Sequence, residues 1–442
     1  DHDDILHPSA LYENMRYICQ ENADFLYTDE ATFNGDNLND IITYHFKPDF
    51  AIDNLRANNY ICHFTTFSRK LFERTGKFDS QYDGSQDHDM ILRLTHVADH
   101  VCHIPKLLYF WRSHPNSVAA DINSKTYAIE AGKKAVRDSI LRDGMEVEVD
   151  SSPAFPTIYR FHYKLTGHPK ISIVIPNKDQ VAYLIRAIDS IIQKSTYDNY
   201  EIIIVENNST TEEIFEFYRL LEEIPQIKVV RWEHPFNYSA INNYGVSFAT
   251  GEYVLLLNND VEVISPSWME EMLMYAQRQD VGAVGAKLYF ENRTIQHAGV
   301  IIGIGEDGVA VHSHAGEPFS SVGYMGRLYF AQDVSAVTAA CLMVKKSLYE
   351  AVDGFEEELA VAYNDVDFCL KLREKGLLNI CTPYAELFHY ESVSRGYEVK
   401  PEKQQRFQRE VAYMKNKWKT VLEQGDPYYN PNMSKQRPWK LV

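Results

Sequence analysis

Residues 170–179 read KISIVIPNKD. Ile171 to Pro176 is a short β-branched run closed by proline, the pattern of a strand buried on both faces. A helical stretch follows, and the alternation then repeats through YEIIIVENNST (200–210), IKVVRWE (227–233), a helical stretch from about 238 to 249, and GEYVLLLNND (251–260). Strands alternating with helices at this spacing predict an α/β fold with an open, mostly parallel sheet covered by helices on both faces. In such sheets ligands bind at the carboxyl ends of the strands, beside the point where strand order reverses. Three predicted strand ends carry polar residues: Asn177 and Asp179, Glu206 to Ser209, and Asn258 to Asp260. Asn, Asp and Ser also make turns and caps, but three such ends together, one placing an acid where a buried strand opens, favour a ligand site.

Composition sets the wider limits. A chain of 442 residues, 45% hydrophobic and 24% charged, is ordinary globular material with room for two or three domains. Its net charge of -18 disfavours nucleic acid and anionic lipid surfaces as partners. Small anionic ligands would need a metal or local cations. The six cysteines form no CxxC pair and no zinc spacing, which fits reduced thiols in cytoplasm. No run approaches the roughly 18 apolar residues of a membrane span.

Motifs now add specificity. VIPNKD, VENNST, the stretch FNYSAINNYGVSFATGEYVLLLNND (236–260), NDVDFCLKLREKG (364–376) and ELFHYESVSRG (386–396) occur in this order. Over about 170 to 418 the chain resembles the family 2 glycosyltransferases, which have the GT-A nucleotide-sugar fold. The resemblance implies a nucleotide site around Pro176, Asn177, Asp179, Glu206, Asn208, Asn243, Asn258 and Asn259, with Glu206 where the family's base-contacting acid stands. Asn258, Asn259 and Asp260 occupy the three positions of its DxD motif, so Asn258 replaces the first acid.

Loss of a nucleoside diphosphate from a sugar builds up charge that a divalent cation neutralises, and hard cations prefer carboxylate oxygen. Asp260 is the first expected ligand for Mn²⁺ or Mg²⁺, and the resemblance puts His389 at the metal as the second. An inverting transferase needs one general base for the acceptor hydroxyl, and Asp365 stands at that position. Acids also favour helix N-termini, and Asn364, Asp365 and Asp367 open a helical pattern. Asp367, Ala340 and Arg395 are expected on the acceptor side. His297, His312 and His314 in TIQHAGVIIG and VHSHAG have no further fixed-spacing metal partner, so this region is read as shaping the acceptor pocket.

The chain also repeats itself. Gly76 matches Gly354, Asp87 matches Asp365, Asp89 matches Asp367 and Pro105 matches Pro383, all at an offset of 278 (354 − 76). The opening residues Asp1, His2 and Asp3 align with Asn258, Asn259 and Asp260. Residues 1–117 therefore resemble the acceptor half of a similar domain lacking its nucleotide-binding front, in a tandem-domain arrangement of bacterial type. At the same offset Trp111 stands where His389 would be. Residues 46–72 read as loop plus strands. Residues 118–169 read as a linker, helical up to Gly144 and then an extended, Pro-punctuated connector. Residues 170–424 form the complete domain. Residues 425–442 are a tail that either covers the site or frays.

The expected activity is metal-dependent inverting transfer of a hexose from a UDP or dTDP sugar to a glycan acceptor, lipid-linked or protein-attached, in polysaccharide or glycoprotein glycan biosynthesis. The expected setting is the cytoplasm, peripheral to the inner membrane face, with an oligomer left open. The alternative is a degenerate nucleotide- or sugar-binding scaffold, suggested by Asn258. A nucleotidyltransferase is disfavoured because no Gly-rich basic loop follows the first strand.

Overall fold

The computed structural model describes residues 2–35, 37–113, 126–390 and 401–441. Two compact units emerge. Asp1–Lys164, Tyr324–Gln332 and Pro427–Val442 make the first, and Leu165–Gly323 with Asp333–Asp426 the second.

Unit 1 runs β1 (Ile5–Leu6), α1 (Ala10–Glu21), β2 (Phe25–Asn34), β3 (Ile41–His45), α2 (Ile52–Ala57), β4 (Thr65–Phe67), α3 (Arg69–Thr75), α4 (Gln86–Val97), β5 (Val101–Ser113), α5 (Thr126–Arg142), β6 (Val147–Ser151) and β7 (Tyr159–Tyr163). Its main sheet has the order β1-β5-β2-β3, with β4 also on β2. Residues 46–72 hold two short helices besides a strand. Neither is long enough to display a helical period, although Ser68 caps α3 by accepting from Leu71 N–H at 3.0 Å. The stretch read as an extended connector is a hairpin, with β6 and β7 antiparallel from Val147↔Tyr163 to Ser151↔Tyr159. The C-terminal tail is ordered within this unit: buried Asn430 donates to Asp29 Oδ2 and to the Lys47 carbonyl, both at 2.9 Å.

Unit 2 contains β8 (Ile171–Asn177), α6 (Val181–Lys194), β9 (Tyr200–Glu206), α7 (Glu212–Leu221), β10 (Ile227–Arg231), α8 (Tyr238–Ser247), β11 (Tyr253–Leu257), β12 (Val261–Val263), α9 (Trp268–Ala276), β13 (Val281–Tyr289), β14 (Ile295–His297), β15 (Val300–Ile302) and β16 (Ala310–His312). There follow β17 (Gln332–Val334), β18 (Cys341–Lys345), α10 (Lys346–Ala351), α11 (Asn364–Glu374), β19 (Leu378–His389), α12 (Pro401–Lys417) and α13 (Lys419–Gln424). The large sheet has the order β10-β9-β8-β11-β18-β13-β19-β12. From β10 to β11 it is parallel, as the alternating strands and helices predicted. Beyond that it is mixed, because β18 runs antiparallel to both β11 and β13.

Local chemistry explains the front half. β8 is apolar up to Ile175 apart from Ser172, whose Oγ donates to Glu201 Oε1 at 2.6 Å, and it is buried on both faces. Pro176 lies past the last β11 partner, Val174, so its missing N–H removes no bond on that side. Helix α8 packs directly on β8 and β9 at Gly245, where a Cβ would meet Val174 Cγ1 at 2.5 Å and Val205 Cγ2 at 2.7 Å. Strand order reverses at β8, which has β9 on one side and β11 on the other.

The pairings of unit 1 repeat a subset of those of unit 2. In both, a strand at the start of the repeat is antiparallel to the last strand (β1–β5, β12–β19). The central strand is parallel to that last strand (β2–β5, β13–β19) and antiparallel to a third (β2–β4, β13–β18).

Candidate active site

The strand ends around the reversal at β8 converge on one patch of unit 2. Asn177 ends β8, and its Oδ1 accepts from Asn259 Nδ2 at 2.6 Å, joining the first strand to the loop after β11. That loop carries Asp260 straight into β12, which pairs antiparallel with the end of β19 so that Val261 faces His389. The Tyr390 N–H closes the junction on the Asp260 carbonyl at 2.9 Å. Sheet register thus brings together an acid and an imidazole far apart in sequence: Asp260 Oδ1 lies 3.2 Å from His389 Nε2, and both side chains are only 8% exposed. Asn258 Nδ2 is 3.0 Å from the same nitrogen, and its Oδ1 accepts from Tyr238 Oη at 2.9 Å.

Two cavities share this wall. One, of 270 Å³, lies over the strand ends and is lined by Pro176, Asn177, Asp179, Asn259 and Asp260 among others. The second, of 420 Å³, is lined by Ala339, Ala340, Tyr363, Asp365 and Phe407 among others. Tyr238, Asn258 and His389 line both.

Asp365 opens α11, where Oδ1 accepts from the Val366 N–H at 2.9 Å and Oδ2 from the Ala339 N–H at 3.1 Å. Asp365 thus bonds backbone N–H groups from the first turn of the helix and also lines the larger cavity. The turn before it is held from α12, where the buried Glu410 carboxylate accepts from the N–H groups of Val361 (2.9 Å) and Ala362 (3.2 Å).

The sequence is similar to those of known proteins. The family described as glycosyl transferase family 2 matches residues 172–351. The resemblance read from the motifs thus holds over this stretch. Its sheet is parallel from β10 to β11, as the alternating strands and helices implied. An uncharacterized protein of Sinorhizobium fredii is 45% identical over 99% of this chain and 48% of its own length. The O-antigen biosynthesis protein RfbC of Myxococcus xanthus is 36% identical over 98% of this chain and 33% of its own. This chain thus spans half or less of the length of either relative. A solved structure of GalNAc-T7 with UDP, GalNAc and Mn²⁺ aligns with a TM-score of 0.47 at 14% identity, over 60% of this chain and 51% of that one.

Several residues expected at the nucleotide are engaged in holding the strand ends. Glu206 is buried, and its oxygens accept from the Ser209 N–H, Ser209 Oγ and Tyr218 Oη, each at 2.6 Å. Burial and then this carboxylate push the Tyr218 hydroxyl well above its ordinary pKa. Asp179 Oδ1 accepts from the N–H groups of Thr210 (2.7 Å) and Thr211 (3.1 Å). Burial alone would raise its pKa, but these bonds outweigh it and hold the carboxyl below the ordinary value. Asn208 donates to the His234 carbonyl at 2.9 Å. Asn243 faces the turn after α10, accepting from Tyr349 Oη at 2.6 Å and the Phe355 N–H at 2.9 Å, and lines neither cavity.

On the acceptor side, Ala340 lines the larger cavity, whereas Asp367 is fully buried on the opposite face of α11 from it. Its Oδ1 accepts from Trp418 Nε1 and pairs with Lys417 Nζ, both at 2.8 Å. Arg395 lies outside the described residues. The three histidines make no metal cluster among the described residues. His297 bonds through Nδ1 to the Ala286 carbonyl (2.8 Å) and through Nε2 to the Thr338 N–H (3.1 Å). Burial, then neighbouring His312, lower its pKa to about 3. Sequence reasoning missed Gln296, whose Oε1 sits 2.8 Å from His389 Nδ1. Its signal was the alternation of the QH pair in a strand, which sends the two side chains to opposite faces.

In unit 1, Asp87 Oδ2 accepts from Asn59 Nδ2 at 3.0 Å, and buried Asp89 pairs with Arg93 at 2.7 Å. Trp111, aligned with His389, lies beside the His63 ring at 5.8 Å between centroids.

Proposed function

We propose that the domain transfers a sugar from a UDP or dTDP sugar to a glycan hydroxyl, with inversion and with a divalent metal. The observation that carries this reading is the shared wall. Asp260 and His389 border the smaller cavity, at the strand ends where α/β sheets bind nucleotides, and His389 and Asn258 also border the larger cavity that contains Asp365. A donor in the first and an acceptor in the second would meet at that wall.

The side chains suit the chemistry asked of them. Asp260 and His389 supply an oxygen and a nitrogen ligand for Mn²⁺ or Mg²⁺. No group of three or more His, Cys, Asp or Glu gathers there among the described residues, so the remaining positions would be filled by the donor diphosphate and water. The bound ion would supply charge neutralisation on the leaving diphosphate. Asp365 takes the proton from the acceptor hydroxyl as that oxygen attacks the anomeric carbon. It is the one carboxylate among the described residues lining the acceptor cavity, which suits single displacement.

The name of the Myxococcus xanthus relative supports cell-surface polysaccharide assembly as the setting, and we place the reaction at the cytoplasmic membrane face. Among the described residues no helix is long and apolar enough to cross a membrane. The repeated pairings of unit 1 support reading residues 1–117 as a partial copy of the domain. With Trp111 in place of the imidazole, we propose that this copy contributes no metal site.

Calorimetry with UDP, dTDP and GDP, with and without Mn²⁺, tests the reading. Metal-dependent binding of one nucleotide, lost in Asp260→Ala, is expected. Absence of nucleotide binding under every condition would instead support the scaffold alternative.

A further inference from the structure

The metal site as proposed leaves one question, because a neutral imidazole carries a lone pair on only one nitrogen. Asp260 Oδ1 stands 3.2 Å from His389 Nε2. A carboxylate there attracts a proton onto Nε2, the tautomer that cannot ligate. The Asn258 Nδ2 donor, 3.0 Å from Nε2, favours the opposite tautomer, and an acceptor at the other nitrogen would secure it. Gln296 Oε1, 2.8 Å from Nδ1, is placed to be that acceptor.

The position of Gln296 is fixed from three directions. It lies at the centre of β14, is 4% exposed and lines the larger cavity. Its carbonyl bonds His312 Nδ1 at 2.9 Å. The next residue, His297, points to the opposite face and is anchored at both ring nitrogens, to Ala286 and Thr338. The strand can neither slide nor rotate without breaking these bonds, so the carboxamide stays opposite His389.

We propose that Gln296 is a positioning residue: by accepting the Nδ1–H of His389 it holds the tautomer whose Nε2 lone pair faces Asp260 and Asn258, ready to ligate a divalent cation. This inference rests on the metal site proposed above. It also gives the two cavities a common hinge of control, because Gln296 lines the acceptor side while acting on the donor side.

Three variants test it: Gln296→Leu removes the acceptor, Gln296→Asn keeps a polar amide but pulls it out of reach, and Gln296→Glu retains an acceptor at full length. Long-range ¹⁵N–¹H spectra of imidazole-labelled protein report the His389 tautomer. Electron paramagnetic resonance of free Mn²⁺, titrated into protein with UDP present, reports the metal. The wild type should show a protonated Nδ1. Gln296→Leu and Gln296→Asn should weaken Mn²⁺ binding by about 10- to 100-fold, as loss of such supporting partners does, while Gln296→Glu restores it. If Gln296→Leu fails to fold, Gln296→Asn decides.

A wild-type Nδ1 without a proton overturns the assignment. So does wild-type Mn²⁺ affinity in Gln296→Asn, and in that case the metal site itself stands. If the wild type leaves Mn²⁺ free, the metal site falls and this role falls with it.

Discussion

Asp365 and Asp367 stand two residues apart in one motif, and the structure gives them different surroundings. The same change, Asp to Asn, should therefore have opposite consequences at the two positions. Asp367 is fully buried, bonds Trp418 Nε1 and Lys417 Nζ at 2.8 Å each, and has Lys371 Nζ at 3.7 Å. Asp367→Asn can keep the indole bond but removes the negative charge between two lysines. Hydrogen bonds to charged groups are worth about 1.5–3 kcal/mol, and breaking a buried pair costs about 3–5 kcal/mol. Lys417 is 29% exposed and can turn to water, so the expected loss is about 2–3 kcal/mol. Asp365 is only half-buried and bonds two backbone N–H groups. Asparagine retains one acceptor, and the loss should be near 1 kcal/mol, about one ordinary hydrogen bond. Turnover should move the other way: removal of a general base costs about 10²–10⁴-fold, whereas Asp367→Asn should leave the rate per folded molecule close to wild type. Urea unfolding and donor turnover on the same preparations separate the two effects. If Asp367→Asn lost turnover while unfolding at the wild-type urea concentration, or Asp365→Asn turned over normally, the roles assigned here would be wrong.

Other perturbations probe the remaining parts. Gly245→Ala would push a methyl into Val174 and Val205, so thermal or urea unfolding should show a loss of about 1–3 kcal/mol from overpacking; an unchanged midpoint would mean that α8 does not sit so close. The Glu201 carboxyl is held at about 2: burial raises its pKa, but hydrogen bonds from Ser172, the Thr250 backbone and Lys170 outweigh it. Its folded pKa lies below the ordinary carboxyl value of about 4.3, so its contribution is present above that pH and is lost as pH falls toward 2. Stability measured between pH 5 and 2.5 should fall less steeply in Glu201→Gln than in wild type, and equal slopes would contradict the assignment. Asn258→Asp restores an acid beside His389 and should tighten Mn²⁺ binding in the paramagnetic titration; weaker binding would show that the carboxamide is needed as the donor to Nε2.

Much of this was legible in the chain. Ile171–Ile175, apolar but for Ser172, and the apolar runs Ile202–Val205 and Val254–Leu257 are of strand length, and β-branched runs this short between turn signals read as strands buried on both faces. The polar residues just beyond them fall at the carboxyl edge of the parallel strands, where Asn177, Asn258 and Asp260 line one cavity. Two stretches of chain related by the offset of 278 between Asp87 and Asp365 pair their strands alike.

What the local pattern could not contain was the direction of each side chain once the sheet had closed. Asp365 and Asp367 are both acids in the first turn of a helix, and only the packing of α12 and α13 decides that one faces a cavity and the other Trp418. Asn243 and Glu206 are residue types suited to binding, but Tyr349, Tyr218 and Ser209 occupy their polar atoms, and those partners are set by contacts between elements. Gln296 left no mark beyond its place in a short strand. Its role depends on the antiparallel register of β12 and β19, a long-range pairing that places His389 between Gln296 and Asp260. Hydrophobic periodicity specifies which face of an element is buried. The choice of partner for a buried polar group is made only when distant elements meet.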